Sequence, residues 1–186
     1  VSLTLTHWPL GPSSGHREET PGARPGNCMV QVVMLADWHD VPRRRGAHHA
    51  QDIFAPRGTP VLAPIAGRIA FAGYTPNGGY NVKIAAAQGT VKMSHFEEQP
   101  LVQRGDMVTS GQEIGKVGNT GAPHACPHLH IGARDLRGNA INLYSQLSAL
   151  SEFAPQIRRP RELTRTPPPR GGGGALFGLL AIVAIA

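Results

Sequence analysis

The chain is poor in cysteine and in aromatic residues, and each shortage excludes a class of protein. Its two cysteines among 186 residues are Cys28 and Cys126. Two are too few for a disulfide framework, and the lack of a close CxxC pair argues against a zinc ribbon or a thioredoxin-type site. The two thiols either pair with each other or both stay free. Aromatic residues make up 5% and are not interleaved with basic ones, so we expect no nucleic-acid partner.

A long apolar run is also lacking. Residues 175–186 carry no polar side chain, but a helix needs about 20 such residues to cross a bilayer. They predict an interfacial anchor, a truncated span or a membrane-active tail, so membrane contact is expected through this tail alone. The arginines just before this tail would keep the main domain on the cytoplasmic side of a membrane. That orientation would conflict with any function outside the cell. The first residues lack the basic and apolar regions of a signal peptide.

Glycine and proline, in contrast, are abundant, at 23 and 17 residues. Between about residues 52 and 142, apolar runs of four to eight residues alternate with turns, as in "TPVLAPIAGRIAFAG" and "YNVKIAAA". This pattern predicts an antiparallel all-β domain, because no helical apolar stripe survives the glycines and prolines. The Asn-Gly pair in "PNGGY" favours a hairpin with a type I′ turn.

The composition divides the chain into four parts. Residues 1–27 are polar and predicted to be irregular, 28–150 form the folded domain, 151–174 an Arg/Pro/Gly-rich linker, and 175–186 the apolar tail. Within the domain, "CMVQVVMLA" from Cys28 predicts the first strand, and "DWHDVPRRRG" after it a loop with a basic cluster. "INLYSQLSALSEFAPQ" is the only helix candidate.

The net charge of +6 and a pI of 10.0 predict anionic surroundings. Nucleic acid, acidic lipid and the polyanionic wall polymers of bacteria all fit a basic chain. Charge alone does not choose among them.

The nine histidines carry the chemical signal. In "PHLHIG", successive strand side chains alternate faces, so His128 and His130 point the same way and Leu129 points into the core. Two imidazoles on one face suit a shared metal site, although a polar outer face of an exposed strand gives the same pattern. His7, His16 and His39 are interpreted as surface residues.

A second segment, "HHAQD", supplies more metal ligands. An imidazole and a carboxylate, here His48 and Asp52, are both good zinc ligands. A third ligand from a distant strand would leave the fourth zinc position open, as in catalytic zinc sites. The spacing alone allows His49 in place of His48. A third segment, "VKMSHF", places His95 on a strand between the other two.

The order HxxxD, strand histidine and HxH resembles the lysostaphin/LytM-type zinc endopeptidases that cut bacterial cell-wall peptides. The similarity runs from about Gly46 to Asn142 and includes "DIFAPRGTPVLAPIAGRIAFAG", "RGDMVTSGQEIGKVGNTG" and "PHLHIGAR". It implies the antiparallel β-sandwich or open barrel of the LytM type. It also implies one zinc ion and a defined set of site residues: His48, Asp52 and His130 as ligands, with His95 and His128 as the pair that handles the protons of the attacking water.

Three features depart from the family pattern. The family usually has glycine where this chain has Ala50, and an aromatic residue where it has Met93. The loop "GNTGAPHACPHLH" is a residue longer than usual and contains Cys126, which we interpret as a bystander. We place these changes at the rim of the cleft, where they would affect substrate preference and rate.

The resemblance implies hydrolysis of peptide bonds in peptidoglycan, in the cell envelope or outside the cell, by a chain that we expect to be monomeric. Two other functions remain open. One is a zinc-binding module that recruits or activates other wall hydrolases without cutting. The other is a lipoyl or phosphocarrier-like module, whose β rhythm is similar, although Lys83, Lys92 and Lys116 do not sit in the required hairpin turn.

Overall fold

The computed structural model describes residues 2–11, 33–34, 39–43 and 46–150, with the backbone alone for 33–34, 39–43 and 46–47. These residues form strands joined by short turns, with one short helix. The elements are β1 Val33–Met34, β2 His39–Arg43, β3 Gly46–His48, β4 Gln51–Phe54, β5 Pro60–Leu62, β6 Gly67–Thr75, β7 Gly79–Ala86, β8 Gly89–Phe96, β9 Met107–Val108, β10 Glu113–Lys116, β11 His128–Asp135, β12 Ala140–Ile141 and α1 Tyr144–Leu150.

The main sheet has the strand order β1-β4-β11-β8-β7-β6-β9, with β12 paired to β11, and all its pairs are antiparallel. A small sheet of β5 and β10 contributes Val61 and Ile114 to the same hydrophobic core as the main sheet. The predicted antiparallel all-β class is confirmed.

The two faces of the main sheet differ in character. Side chains alternate along each strand, so Val91 and Met93 of β8 and Leu129 and Ile131 of β11 point into the core. The residues between them point to the opposite, outer face. That outer face carries the histidines of interest, and the buried face fixes the register that positions them.

The N-terminal segment contributes to the core although it forms no strand. Leu3, Leu5, Trp8 and Leu10 are all at most 4% exposed. The segment runs beside β5, and the Leu62 amide donates to the Pro9 carbonyl at 2.8 Å. The hydrophobic core therefore includes residues that the predicted domain boundary at residue 28 leaves out.

Helix α1 holds the same segment from the other end of the domain. The side chain of Gln146 accepts a hydrogen bond from the Leu5 amide at 2.8 Å and donates one to the Leu3 carbonyl at 3.3 Å. Leu147 of the helix is fully buried. The two segments that flank the sheet in sequence thus contact each other in space.

Several local predictions need correction. His39, predicted in a loop, lies in β2 and pairs with His48. The hairpin after β6 is not type I′, because the left-handed φ of 58° falls on Gly79 and not on the Asn-Gly pair. Such a turn requires positive φ at both central residues.

The helix begins at Tyr144, later than the pattern "INLYSQ" suggests. Of the predicted first strand, Val33–Met34 pairs with β4, and its other residues lie outside the described part. The linker and the apolar tail also lie outside it. Within the residues described, no helix is both long enough and apolar enough to cross a membrane.

We predict that Leu3→Ala lowers the free energy of unfolding by about 2–5 kcal/mol, because it leaves a cavity in a packed core. The measurement is equilibrium denaturation in urea. The neighbouring exposed residue gives the control, since Thr4→Ala should change stability by no more than about 0.5 kcal/mol. Equal stability of the two variants would show that the segment does not pack on the core.

Candidate metal centre

Two paired strands place the HxxxD and HxH motifs beside each other. In the antiparallel pairing of β4 with β11, Asp52 lies directly opposite His130. Both residues point to the outer face, because their neighbours Ile53 and Leu129 are buried. His48 ends β3, four residues before Asp52, and its ring meets that of His130 with centroids 5.0 Å apart.

Three potential ligand atoms form a small triangle. His48 Nε2 lies 3.3 Å from His130 Nδ1 and 3.3 Å from Asp52 Oδ2, and His130 Nδ1 lies 2.9 Å from Asp52 Oδ1. In a tetrahedral zinc site with bonds of about 2.0–2.1 Å, ligand atoms lie about 3.3 Å apart. Two imidazole nitrogens and a carboxylate at this spacing fit a zinc ion and match the three-ligand donor set of catalytic zinc sites.

The electrostatics of the triangle favour an ionised carboxylate. Burial raises the pKa of Asp52, but hydrogen bonds with His130 and His48 and the nearby His128 outweigh burial and hold the pKa well below its usual range. An ionised aspartate is the form that binds a cation. The same carboxylate therefore serves both to orient the imidazoles and to supply negative charge.

A bulge in β8 brings His95 into the same site. His95 has φ of 68°, the one positive φ at a residue other than glycine among those described. The register between β7 and β8 shifts here, because Asn81 pairs with Ser94 and Tyr80 with Phe96. Strict alternation from the buried Met93 would turn His95 into the core, whereas the bulge re-aims its side chain. Its ring centroid lies 5.7 Å from that of His130.

His95 and His128 lie side by side, with ring centroids 4.7 Å apart. Each donates its Nδ1 hydrogen to a backbone carbonyl at 2.8 Å, His95 to Thr120 and His128 to Cys126. These bonds fix the tautomer and leave Nε2 of each neutral ring as a proton acceptor. Both carbonyls belong to one loop, residues 118–127, so a single segment orients the two imidazoles.

The two imidazoles are also kept neutral. Burial, together with the adjacent His128, lowers the pKa of His95 to about 4. Burial likewise lowers the pKa of His128, which is 5% exposed. A neutral imidazole can take a proton, so both residues have the protonation state of a general base at neutral pH.

The loop 118–127 is held at several points. Arg57 forms an ion pair with Glu97 and donates a second hydrogen bond to Asn119 Oδ1 at 2.9 Å. The Thr120 hydroxyl accepts from the Tyr80 amide at 2.9 Å. Gly79 permits this approach, because a Cβ there would lie 2.1 Å from the Thr120 carbonyl oxygen.

Cys126 is buried within this loop and is disulfide-bonded. Cys28, the other cysteine of the chain, lies outside the described residues. A disulfide sulfur is not a nucleophilic thiolate, which agrees with the interpretation of Cys126 as a chemical bystander. Its backbone carbonyl, however, orients His128.

Two residues of the site were not predicted from the sequence. Phe54 stacks on His128, with centroids 5.1 Å apart and planes inclined by 28°. Thr120 supplies the carbonyl for His95. The alternation of β4 could have placed Phe54 on the face of Asp52, but no pattern in the sequence marks a backbone carbonyl as a partner.

Other predicted residues lie elsewhere. His49 lines the groove beside the triangle but does not belong to it. His7 is half-buried, and its side chain lies near Gly111. Met93, placed at the cleft rim by the sequence, is fully buried in the core, so that interpretation is wrong and its departure from the family pattern concerns packing. Ala50 does line the groove.

Comparison with known proteins agrees with this geometry. The model of peptidase family M23 matches residues 46–143, more than half of the chain. The glycyl-glycine endopeptidase ALE-1 of Staphylococcus capitis is 39% identical over 88 residues, which are 46% of this chain and 24% of ALE-1. The peptidoglycan DD-endopeptidase ShyA of Vibrio cholerae is 34% identical over 106 residues, 56% of this chain and 24% of ShyA.

Among solved structures, the catalytic domain of lysostaphin from Staphylococcus simulans superposes with a TM-score of 0.54 and 27% identity. The superposition covers 62% of this chain and 91% of that domain. The chain therefore aligns with nearly all of a peptidase catalytic domain, but with only about a quarter of the length of the two relatives above.

We predict that Asp52→Ala and His130→Ala each lose bound zinc, because each removes one of three ligand atoms. Zinc content per chain, measured by elemental analysis after gel filtration, is the readout. His49→Ala is the matched control and should keep one zinc ion per chain. Loss of zinc from the His49 variant, with retention in His48→Ala, would mean that the wrong histidine has been assigned.

Proposed function

The chain belongs to peptidase family M23, and from this we propose that it is a zinc-dependent endopeptidase that hydrolyses peptide bonds of peptidoglycan. The resemblance to lysostaphin/LytM-type enzymes drawn from the residues is confirmed by the family match. One observation carries the proposal: the triangle of His48, Asp52 and His130 lies next to two neutral imidazoles whose Nδ1 atoms bond to backbone carbonyls.

His48 Nε2, Asp52 and His130 Nδ1 would hold the zinc ion. When bound, zinc would supply Lewis acidity to the scissile carbonyl and would lower the pKa of the attacking water towards the neutral range. The ionised Asp52 provides the charge that retains the cation. Three protein ligands are the number found in catalytic zinc sites, whose zinc also binds water or substrate.

His95 and His128 would manage the protons. Each is a neutral imidazole whose Nδ1 is occupied by a carbonyl of the loop 118–127, which leaves its Nε2 as the proton acceptor. One imidazole would take a proton from the attacking water and return it to the leaving amine. While it carries this proton, the same imidazole would donate it in a hydrogen bond to the developing oxyanion.

The substrate assignment follows the relatives and the charge of the chain. ALE-1 and ShyA are named for cleavage of glycyl-glycine and peptidoglycan bonds, and a net charge of +6 favours contact with an anionic wall. We therefore propose action in the cell envelope or outside the cell. A monomeric state and membrane contact through residues 175–186 remain predictions from the sequence.

The alternative is a zinc-binding module that recruits or activates other hydrolases. The absence of a ligand or of a proton-handling histidine would favour it, but all five positions are filled here by the residue types that hydrolysis requires. Carrier modules of the lipoyl type are set aside, because the chain belongs to a peptidase family.

We predict that His128→Ala and His95→Asn each reduce the rate of hydrolysis of purified peptidoglycan by about 100-fold or more, because a general acid–base residue usually contributes that much. The zinc content of both variants should stay at one ion per chain. Asparagine suits position 95 because it tolerates positive φ. The products are identified by mass spectrometry. The control is His124→Ala, which removes an exposed histidine from the same loop and should leave the rate unchanged.

A second measurement on the same samples concerns the metal. Treatment with a chelator should abolish hydrolysis, and added zinc should restore it. A zinc-loaded chain that releases no product from any wall preparation would support the recruiting module instead. If His128→Ala cut the wall at the wild-type rate, the proposed proton transfer would be wrong.

A further inference from the structure

A groove of about 630 Å³ extends from the candidate metal centre across the outer face of the main sheet. His48 and His130 line one end of it. Beyond them the groove is lined by Lys92 of β8 and Lys83 of β7, and Arg134 of β11 lies at its side. Of the described residues that line the groove, none is an aspartate or a glutamate. The groove is therefore positively charged next to a peptide-cleaving site.

The two lysines are direct cross-strand partners. Lys83 pairs with Lys92 in the register of β7 and β8, and both side chains point to the outer face between buried residues such as Val82 and Val91. Like charges directly opposite each other on a sheet destabilise it. In the described part of the chain, neither lysine has a carboxylate within salt-bridge distance. Burial, with the charge of Lys83, lowers the pKa of Lys92.

An anion between the two ammonium groups would remove this repulsion. The neighbouring groove residues suit a peptide ligand, because Thr75 and Thr90 offer hydroxyl groups and Phe71 an apolar surface. Phe71 is itself the cross-strand partner of Lys83. The groove thus combines charge, hydrogen-bonding groups and an apolar contact on one face.

The register also sets the distance from the metal centre. Lys92 lies opposite Gly132, two residues beyond His130 on β11. Such a diagonal neighbour is about 7–8 Å away between Cα atoms. An extended peptide advances about 3.3 Å per residue, so Lys92 can reach a group one or two residues from the bond at the metal centre.

We propose that Lys83 and Lys92 form a carboxylate-binding subsite, so that the substrate is a wall peptide with a free carboxylate one or two residues from the scissile bond. This proposal rests on the proposed peptidase function and narrows it. A cross-link between D-alanine and a diamino acid carries such a carboxylate, whereas a glycine bridge does not. The subsite selects the first class of bond over the second.

The test uses the zinc-loaded full chain and two cross-linked peptides that are identical except that one has a free carboxylate on the diamino acid and the other an amide. The measured quantity is kcat/KM for each peptide. The variants are Lys92→Gln, Lys83→Gln and the double variant, which keep side-chain length and remove charge. Lys116→Gln is the matched control, since Lys116 pairs with Glu98 outside the groove.

The wild-type chain should prefer the carboxylate peptide by about tenfold or more, the size expected for a charge-assisted hydrogen bond. Lys92→Gln should remove most of this preference and leave cleavage of the amidated peptide unchanged. Lys116→Gln should behave as wild type. The lysine variants should melt at the same or a higher temperature, because the cross-strand repulsion is relieved, and a merely structural role would lower it.

Equal kcat/KM for the two peptides in the wild type and in Lys92→Gln would overturn the subsite while the peptidase function stands. If neither peptide is cut, the affinity of the chain for each peptide is measured by calorimetry. Tighter binding of the carboxylate peptide that is lost in the double variant would support the subsite, although the hydrolase proposal would fail. In a third outcome, the lysines bind glycerol phosphate oligomers, with no difference in affinity between the two peptides and with loss of oligomer binding in the double variant. That result would assign the lysines to binding of a wall polymer and would refute the carboxylate subsite.

Discussion

The pairing register of β4 with β11 is the constraint on which the site depends. It sets Asp52 opposite His130, and a slip of one residue would turn either side chain from the outer face into the core. The buried residues next to the ligands, Ile53 and Leu129, make that slip unfavourable, because each would lose its place in the core. The metal-binding geometry is therefore enforced by hydrophobic packing on the opposite side of the sheet.

The second half of the site depends on irregular backbone. A residue with a side chain at positive φ costs about 1–3 kcal/mol, and at His95 the surrounding contacts hold it there. The amide and carbonyl of His95 bond to Gly78 and Gly118, and its ring bonds to Thr120. The backbone strain is thus confined to one residue that must face the ligands. The loop 118–127, whose contacts hold His95 in this conformation, also orients His128.

The sequence revealed the parts of this site that follow from local rules. Alternation along a strand correctly put His128 and His130 on one face, and short apolar runs correctly gave the fold class. The same alternation fails at His95, because a bulge leaves no mark in residue type. The core contribution of Leu3 and Leu5 was hidden in a segment whose composition is that of a loop. Convergence of β4 and β11 is a long-range pairing, and the family resemblance, not periodicity, made it predictable.

The hydrogen bonds between the N-terminal segment and α1 show that the folded domain extends beyond the part of the chain that matches the family. The family match ends at residue 143 and starts at residue 46, whereas the contacts of Leu3 and Leu5 with Gln146 lie outside both limits. The family match thus covers less of the chain than the hydrophobic core does. A truncation to the limits of the family match would remove the N-terminal residues that cover one side of the hydrophobic core. The apolar surface exposed in this way would make the shortened protein prone to aggregate.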